Sequence, residues 1–167
     1  MIYDVTRPIY HGMKVFPGDP AVEFKKVLQV DSDGAEVHRI SLGTHTGTHV
    51  DAPSHLFKEG KTIDKIDPGV FWGSVRVYDL EGKDCIDVED IAVVKPGQRA
   101  IIRTGFGGQG GEDFYPYMMP EAARYLVNCG LILLGIDTPS VDPPGTDRCH
   151  RILLGSGMVI VENIWLE

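Results

Sequence analysis

The second half of the chain alternates in a way that few architectures can accommodate. "RAIIRT" (99–104) has the short, branched apolar run of a strand. "PEAARYLVNCG" (120–130) reads as a helix, with Pro120 in its first turn and Gly130 as its stop. "LILLGID" (131–137) is the compact apolar run of a buried strand, "TDRCHRILLG" (146–155) a short helix ended by Gly155, and "GMVIVEN" (157–163) a final strand. Strand, helix, strand, helix, strand calls for right-handed crossovers, which lay the strands parallel in one sheet. The first half is β-rich instead. "AVEFKKVLQV" (21–30), "EVHRISLG" (36–43) and the alternating "SVRVYDL" (Ser74–Leu80) read as strands, with little regular structure from Thr44 to Gly73. The expected fold class is α/β, with a mixed, largely parallel sheet in the second half.

A chain of 167 residues fits a single domain spanning 1–167, and at that size roughly two-thirds or more of the unfolded surface is buried. No apolar run approaches the ~20 residues that cross a bilayer. The opening "MIYDVTRPIYHG" lacks the basic patch and apolar stretch of a secretory signal, so the cytoplasm is the expected location. The formal net charge of −8 repels nucleic acid and anionic membranes, and neither is an expected partner. It does not oppose a bound cation. Cys85, Cys129 and Cys149 are odd in number and form no Cys-x-x-Cys pair, which argues for buried free thiols rather than a disulfide framework or a cysteine zinc site. Cys149 adjoins His150, but nothing marks it as a nucleophile.

The irregular segment contains "HTGTHVDAPSH", His45 to His55, and three of the six histidines fall inside it. His45, His49 and Asp51 offer two imidazoles and a carboxylate, a donor set that suits zinc, manganese or ferrous iron with a position left for water. The His-x-x-x-His spacing resembles the zinc helix of metalloproteases, but Thr46 stands where the general-base glutamate belongs. Gly47 and Pro53 are poor inside a helix, so a tight loop or irregular turn is expected here. Pro53 fixes its own φ and biases Ala52 toward extended backbone, which aims His55. His11 and His38 read as ordinary surface or core histidines.

Three groups on one loop rarely close a site, and partners are expected at strand ends. Glu162 ends the apolar run "GMVIVEN", where a carboxylate is expensive unless paired, and His150 lies on the helix before it. "GFGGQG" (Gly105–Gly110) fits G-x-G-x-x-G after a strand. The next helix begins only near Pro120, however, with Glu112, Asp113 and Pro116 between, so its N-terminus is too distant for a phosphate; a loop at the mouth of a site is expected instead. No G-x-S-x-G is present for a serine hydrolase.

H-x-G-T-H-x-D-x-P-x-H, complete from His45 to His55, resembles the signature of the cyclase family of metal-dependent hydrolases, which includes bacterial kynurenine formamidases and isatin-hydrolase-like enzymes. "VFPGDP" (Val15–Pro20) is similar to that family's early substrate loop, "IIRTGF" (Ile101–Phe106) and "GIDTPSVDP" (Gly135–Pro143) to its later segments, and "CHRILLGSGMVIVENI" to its closing element. The resemblance implies a swivelling β/β/α fold, a homo-oligomer (dimer or tetramer) and a divalent metal site, with zinc in first place, two ions, and manganese as the other option. It implies that His45 and His49 hold a first metal, that Asp51 and Glu162 bridge to a second held also by His150, and that His55 gives and takes the proton. Phe16 stands where kynurenine-specific members carry a tryptophan, and is the expected substrate-binding residue. Phe71, Trp72 and Phe106 are further candidates for an aromatic wall, with core packing an equal account of Phe71 and Trp72. The family continues into a further strand where this chain ends, at Glu167.

The expected activity is amide hydrolysis. Metal-acidified water attacks a formyl amide or a strained cyclic amide of a small molecule, and His55 delivers a proton to the leaving nitrogen. Kynurenine formamidase is the best single assignment. The alternative is a non-catalytic metal-binding or regulatory module on the same scaffold.

Overall fold

A computed structural model describes residues 3–95, 97, 99–107 and 114–166. In chain order, β1 (Glu23–Leu28) leads through a single turn, α1 (Val30–Asp33), to β2 (Val37–Ser41). β3 (His49–Asp51) follows, then short helical turns at Pro53–His55, Ile63–Lys65 and Pro68–Phe71. β4 (Val75–Asp79), β5 (Cys85–Ile86), α2 (Val88–Ile91), β6 (Arg99–Arg103) and β7 (Tyr117–Met118) come next. The chain then runs through α3 (Pro120–Asn128), β8 (Leu133–Ile136), α4 (Arg148–Gly155) and β9 (Val159–Glu162).

The central sheet has the order β3-β9-β8-β6-β4. β4, β6, β8 and β9 are parallel, and β3 runs antiparallel along the β9 edge. The alternation of the second half therefore produces the mixed, largely parallel sheet expected of it. Side chains of a strand alternate between faces. Ala100 and Ile102 of β6, Leu134 and Ile136 of β8, and Ile160 of β9 form one buried core with Leu126 of α3 and Leu153 and Leu154 of α4. Burying each of these larger side chains stabilises the fold by about 1.5–3 kcal/mol. α3 begins with Pro120 at its first helical position and buries Ala122, Ala123 and Leu126, which share a face. Gly130 (φ +67°) closes it in the left-handed conformation that glycine adopts without a Cβ penalty.

Two expectations change. The segment from Thr44 to Gly73 contains a real strand: His49, Val50 and Asp51 pair with Glu162, Val161 and Ile160. The three-residue strand is too short for alternation to reveal, and the pairing comes from β9 rather than from local propensity. The small parallel pair β5–β7 was hidden for the same reason. In the first half, the β1–β2 hairpin buries none of its residues. Val27, Leu28, Val37 and Ile40 are exposed on it. Val30, read as the end of the first strand, opens α1 instead.

A candidate two-ion metal centre

The register of β3 on β9 builds the site. In an antiparallel pair, residues directly opposite share a face. His49 is opposite Glu162 and Asp51 is opposite Ile160, so His49, Asp51 and Glu162 all project toward the helix-covered face. The parallel strands end here, where open α/β sheets place their sites. α4 packs against that face and brings His150. Four residues on from Asp51, the turn at Pro53–His55 lifts His55 over the same spot, its N–H donating to the Ala52 carbonyl at 2.9 Å.

Every metal-binding and catalytic residue singled out in the sequence converges. His45 Nδ1 is 2.8 Å from Asp51 Oδ1, and His49 Nε2 is 3.4 Å from the same oxygen. His150 Nε2 is 3.2 Å from Asp51 Oδ2 and 3.2 Å from Glu162 Oε1, and His49 Nε2 is 3.6 Å from Glu162 Oε2. The groups fall into two sets, His45/His49/Asp51 and Asp51/His150/Glu162, in each of which one donor atom per residue lies within 4.8 Å of the others. Asp51 belongs to both. The His55 ring lies 4.2 Å from His45 and 6.0 Å from His150, centroid to centroid, and joins neither set.

The chemistry of this donor set fits divalent cations. Asp51 is 1% exposed, yet neither of its oxygens has a hydrogen-bond partner among the described residues, and nor does His49 Nε2. Such atoms are costly to bury unless something satisfies them. Burial opposes charging of Asp51, but His150, His45 and His49 hold its carboxyl far below the usual carboxylate range. Burial likewise opposes charging of His150, yet contacts with Asp142, Asp51 and Glu162 win and push its pKa up to about 12. At His49, contacts with Asp51 and the Gly47 carbonyl outweigh burial and raise it. The buried carboxylate of Asp51 is thus stabilised by the positive charge gathered around it. His55 behaves in the opposite way: partial burial, with His45 and His150 alongside, lowers its pKa despite Asp51 and Glu162. It is a neutral imidazole at pH 7, able to accept or release a proton.

Several residues that position the site lie in the quoted segments but were assigned no role there. Asp142, 1% exposed, accepts the His150 ring Nδ1–H at 2.8 Å and the backbone N–H groups of Cys149 and His150 at 2.7 and 2.9 Å. It therefore satisfies the first turn of α4 and fixes the tautomer that turns His150 Nε2 inward. An acid shortly before a helix was the available signal. The Gly47 carbonyl accepts from His49 Nδ1 at 2.9 Å and orients that ring the same way. Gly47 has φ +62°, and a Cβ there would meet Ile9 at 3.3 Å. Asp137, 2% exposed, accepts from the Thr104 N–H and hydroxyl and from the Gly105 N–H, which ties the end of β8 to the turn presenting Phe106.

A cavity of about 880 Å³ opens over the centre, with Phe16, Phe106 and Tyr115 on its wall. Phe106 and Tyr115 meet edge to face at 6.1 Å. Phe71 and Trp72 are 41% and 81% exposed, so the core-packing account of these two does not hold, and neither lines the cavity. Phe106 and Gly107 of the glycine-rich segment lie at the cavity wall, while Gly108–Gly110, Glu112 and Asp113 lie outside the described residues. The cysteines are free, but only Cys149 is fully buried. Burial pushes its thiol pKa up, and its Sγ donates to the Met118 carbonyl at 3.1 Å, which removes it as a nucleophile. His38 is exposed, and exposed His11 accepts the Phe24 N–H at 3.1 Å.

Comparison with known proteins supplies the family. The model of the putative cyclase family matches residues 3–143. The kynurenine formamidase of Bacillus cereus (strain ATCC 10987 / NRS 248) is 30% identical over 171 aligned residues, covering 98% of this chain and 82% of its own. Among solved structures, a potential metal-dependent hydrolase with cyclase activity superposes with a TM-score of 0.84 at 30% identity, covering 99% of this chain and 82% of the other. Isatin hydrolase A from Labrenzia aggregata shares the fold at a TM-score of 0.87 and 23% identity, covering 98% and 80%. The chain belongs to the cyclase family of metal-dependent hydrolases. His150 and Glu162 fall beyond the matched 3–143 segment, and they join the centre through the β3–β9 register and α4.

Proposed function

We propose that this protein is a metal-dependent amide hydrolase of the arylformamidase type, cleaving the C–N bond of a formyl amide or cyclic amide, with kynurenine formamidase the best single assignment. The observation that carries the reading is the convergence of His45, His49, Asp51, His150 and Glu162 beneath a cavity, with His55 beside them and outside the ligand sets.

His45, His49 and Asp51 would hold one ion, and Asp51, His150 and Glu162 a second. Zinc is the first choice and manganese the other, because imidazole and carboxylate accept both. Bound divalent ions supply Lewis acidity that polarises the substrate carbonyl and brings the pKa of water from 15.7 to about 7. The chain supplies the rest. Asp142 and the Gly47 carbonyl keep His150 and His49 turned inward. His55, neutral at pH 7, accepts the proton released on attack and returns it to the leaving nitrogen, without which an amide does not cleave. Phe16 and Phe106 form the aromatic side of the cavity that seats the acyl or aryl group.

The exposed apolar residues of the β1–β2 hairpin support assembly as a homo-oligomer, a dimer or tetramer. Three free thiols favour a reducing compartment, the cytoplasm. Among the described residues no helix is long and apolar enough to cross a membrane.

The test is a panel of N-formyl arylamines and cyclic amides, assayed after chelation and after return of Zn²⁺ or Mn²⁺. The expected result is turnover of at least one compound that chelation abolishes and metal restores. No metal-dependent turnover across the panel would contradict the hydrolase reading.

A further inference from the structure

The two donor sets share Asp51 but are not built alike. In the inner set, Asp51, His150 and Glu162 are all buried, and each stands on a regular element: β3, α4 and β9. Side chains on strands and helices are held more tightly than side chains on loops. His150 and Glu162 are also held from behind. Asp142 accepts the His150 ring Nδ1–H at 2.8 Å, and Glu162 Oε1 accepts the buried Val141 backbone N–H at 2.8 Å. Val141 and Asp142 are consecutive, so one stretch of backbone between β8 and α4 fixes both side chains.

The outer set, His45, His49 and Asp51, is loose at one corner. His49 stands on β3, with its Nδ1 held by the Gly47 carbonyl. His45 lies in the turn before β3, outside any strand or helix, and its side chain is 27% exposed. Among the described residues, the polar contact of its ring is with Asp51 Oδ1 at 2.8 Å, a member of the same set, and nothing outside the set orients it. Charge separates the sets further. The outer set has one carboxylate and two imidazoles. The inner set has two carboxylates and one imidazole, and the far nitrogen of that imidazole meets a third carboxylate, Asp142. Cation affinity rises with the charge of the ligands and with the rigidity of the site, and donors already in place lose little freedom on binding. Both effects favour the inner set.

We propose that the centre loads in order: Asp51, His150 and Glu162 hold a resident divalent ion, while His45, His49 and Asp51 take a second more weakly and exchange it with solvent, His45 being the ligand that gives way. The proposal rests on the two-ion reading of the centre, but it is measurable without turnover. Its consequence is control by supply. At free-metal concentrations between the two affinities the outer set stands empty, and only a higher concentration completes the centre. Asp142 is a positioning residue for the inner set alone.

The experiment titrates metal-stripped wild type, His45→Ala and Asp142→Asn with Zn²⁺ by calorimetry in the presence of a competing chelator. Elemental analysis after dialysis against buffers of graded free Zn²⁺ runs alongside. The wild type is expected to bind in two steps whose Kd values differ by about 10-fold or more, the scale on which ligand orientation alters metal affinity. His45→Ala removes the weaker step and keeps the tighter one at an affinity close to that of the wild type. Asp142→Asn weakens the tighter step about 10–100-fold and leaves the weaker one in place; if it does not fold, the wild type and His45→Ala decide the matter. Stepwise binding with no turnover of any amide sustains this proposal and counts against the hydrolase reading, whereas metal-dependent turnover with two ions bound at equal affinity does the opposite. Survival of the weaker step in His45→Ala, or loss of the tighter one, would overturn the order of loading, and no binding at all would overturn both readings.

Discussion

Replacing His55 by alanine is expected to lower turnover about 10²–10⁴-fold while leaving the metal content unchanged. The size follows from what proton transfer by a positioned side chain contributes, and the separation follows from the geometry. His55 belongs to neither donor set, and its turn is held by backbone hydrogen bonds and by Pro53 rather than by the imidazole. Its surroundings lower its pKa, so the side chain is a proton carrier at neutral pH and not a fixed cation. Steady-state kinetics paired with elemental analysis of the same preparation checks both halves. Turnover that survives the substitution assigns the proton step elsewhere; metal lost with His55 makes it a ligand.

Asp51→Asn is expected to do the reverse and remove metal first. Asp51 is the one residue shared by both donor sets, and its two oxygens face different histidines, Oδ1 toward His45 and His49, Oδ2 toward His150. The amide offers one neutral oxygen and one donor group in their place, so one ion loses its carboxylate and the other meets an N–H₂. Residues that merely orient a metal ligand are worth about 10–100-fold in affinity, and loss of the shared ligand exceeds that. Elemental analysis should find both ions depleted. Added Zn²⁺ should raise the melting temperature of the wild type but not of the variant, because only a state that binds metal is stabilised by it. Full metal occupancy in Asp51→Asn would place the ions somewhere other than this centre.

How much of this was legible in sequence depends on the length of the signal. α3, α4, β6, β8 and β9 each carry their own periodicity and stops, and they lie where the sequence places them. β3 does not: His-Val-Asp is strand only because β9 lies beside it, so the expected loop became the sheet edge that brings His49 opposite Glu162. The candidate ligands were readable because imidazole and carboxylate at close spacing are expensive without a purpose. Asp142 was not: it acts through a hydrogen bond across eight residues. Phe71 and Trp72 show the converse: a pocket wall and core packing were equal accounts of them, yet both stand in solvent and fit neither.

If divalent ions bind as proposed, the segment His45–Asp51 and the α4–β9 pair form one cage around them. The most direct measurement is anomalous diffraction at the zinc or manganese edge from crystals of metal-loaded protein. Two peaks are expected, one among His45, His49 and Asp51 and one among Asp51, His150 and Glu162. Metal bound away from these side chains, or none bound between them at saturating concentration, would contradict it.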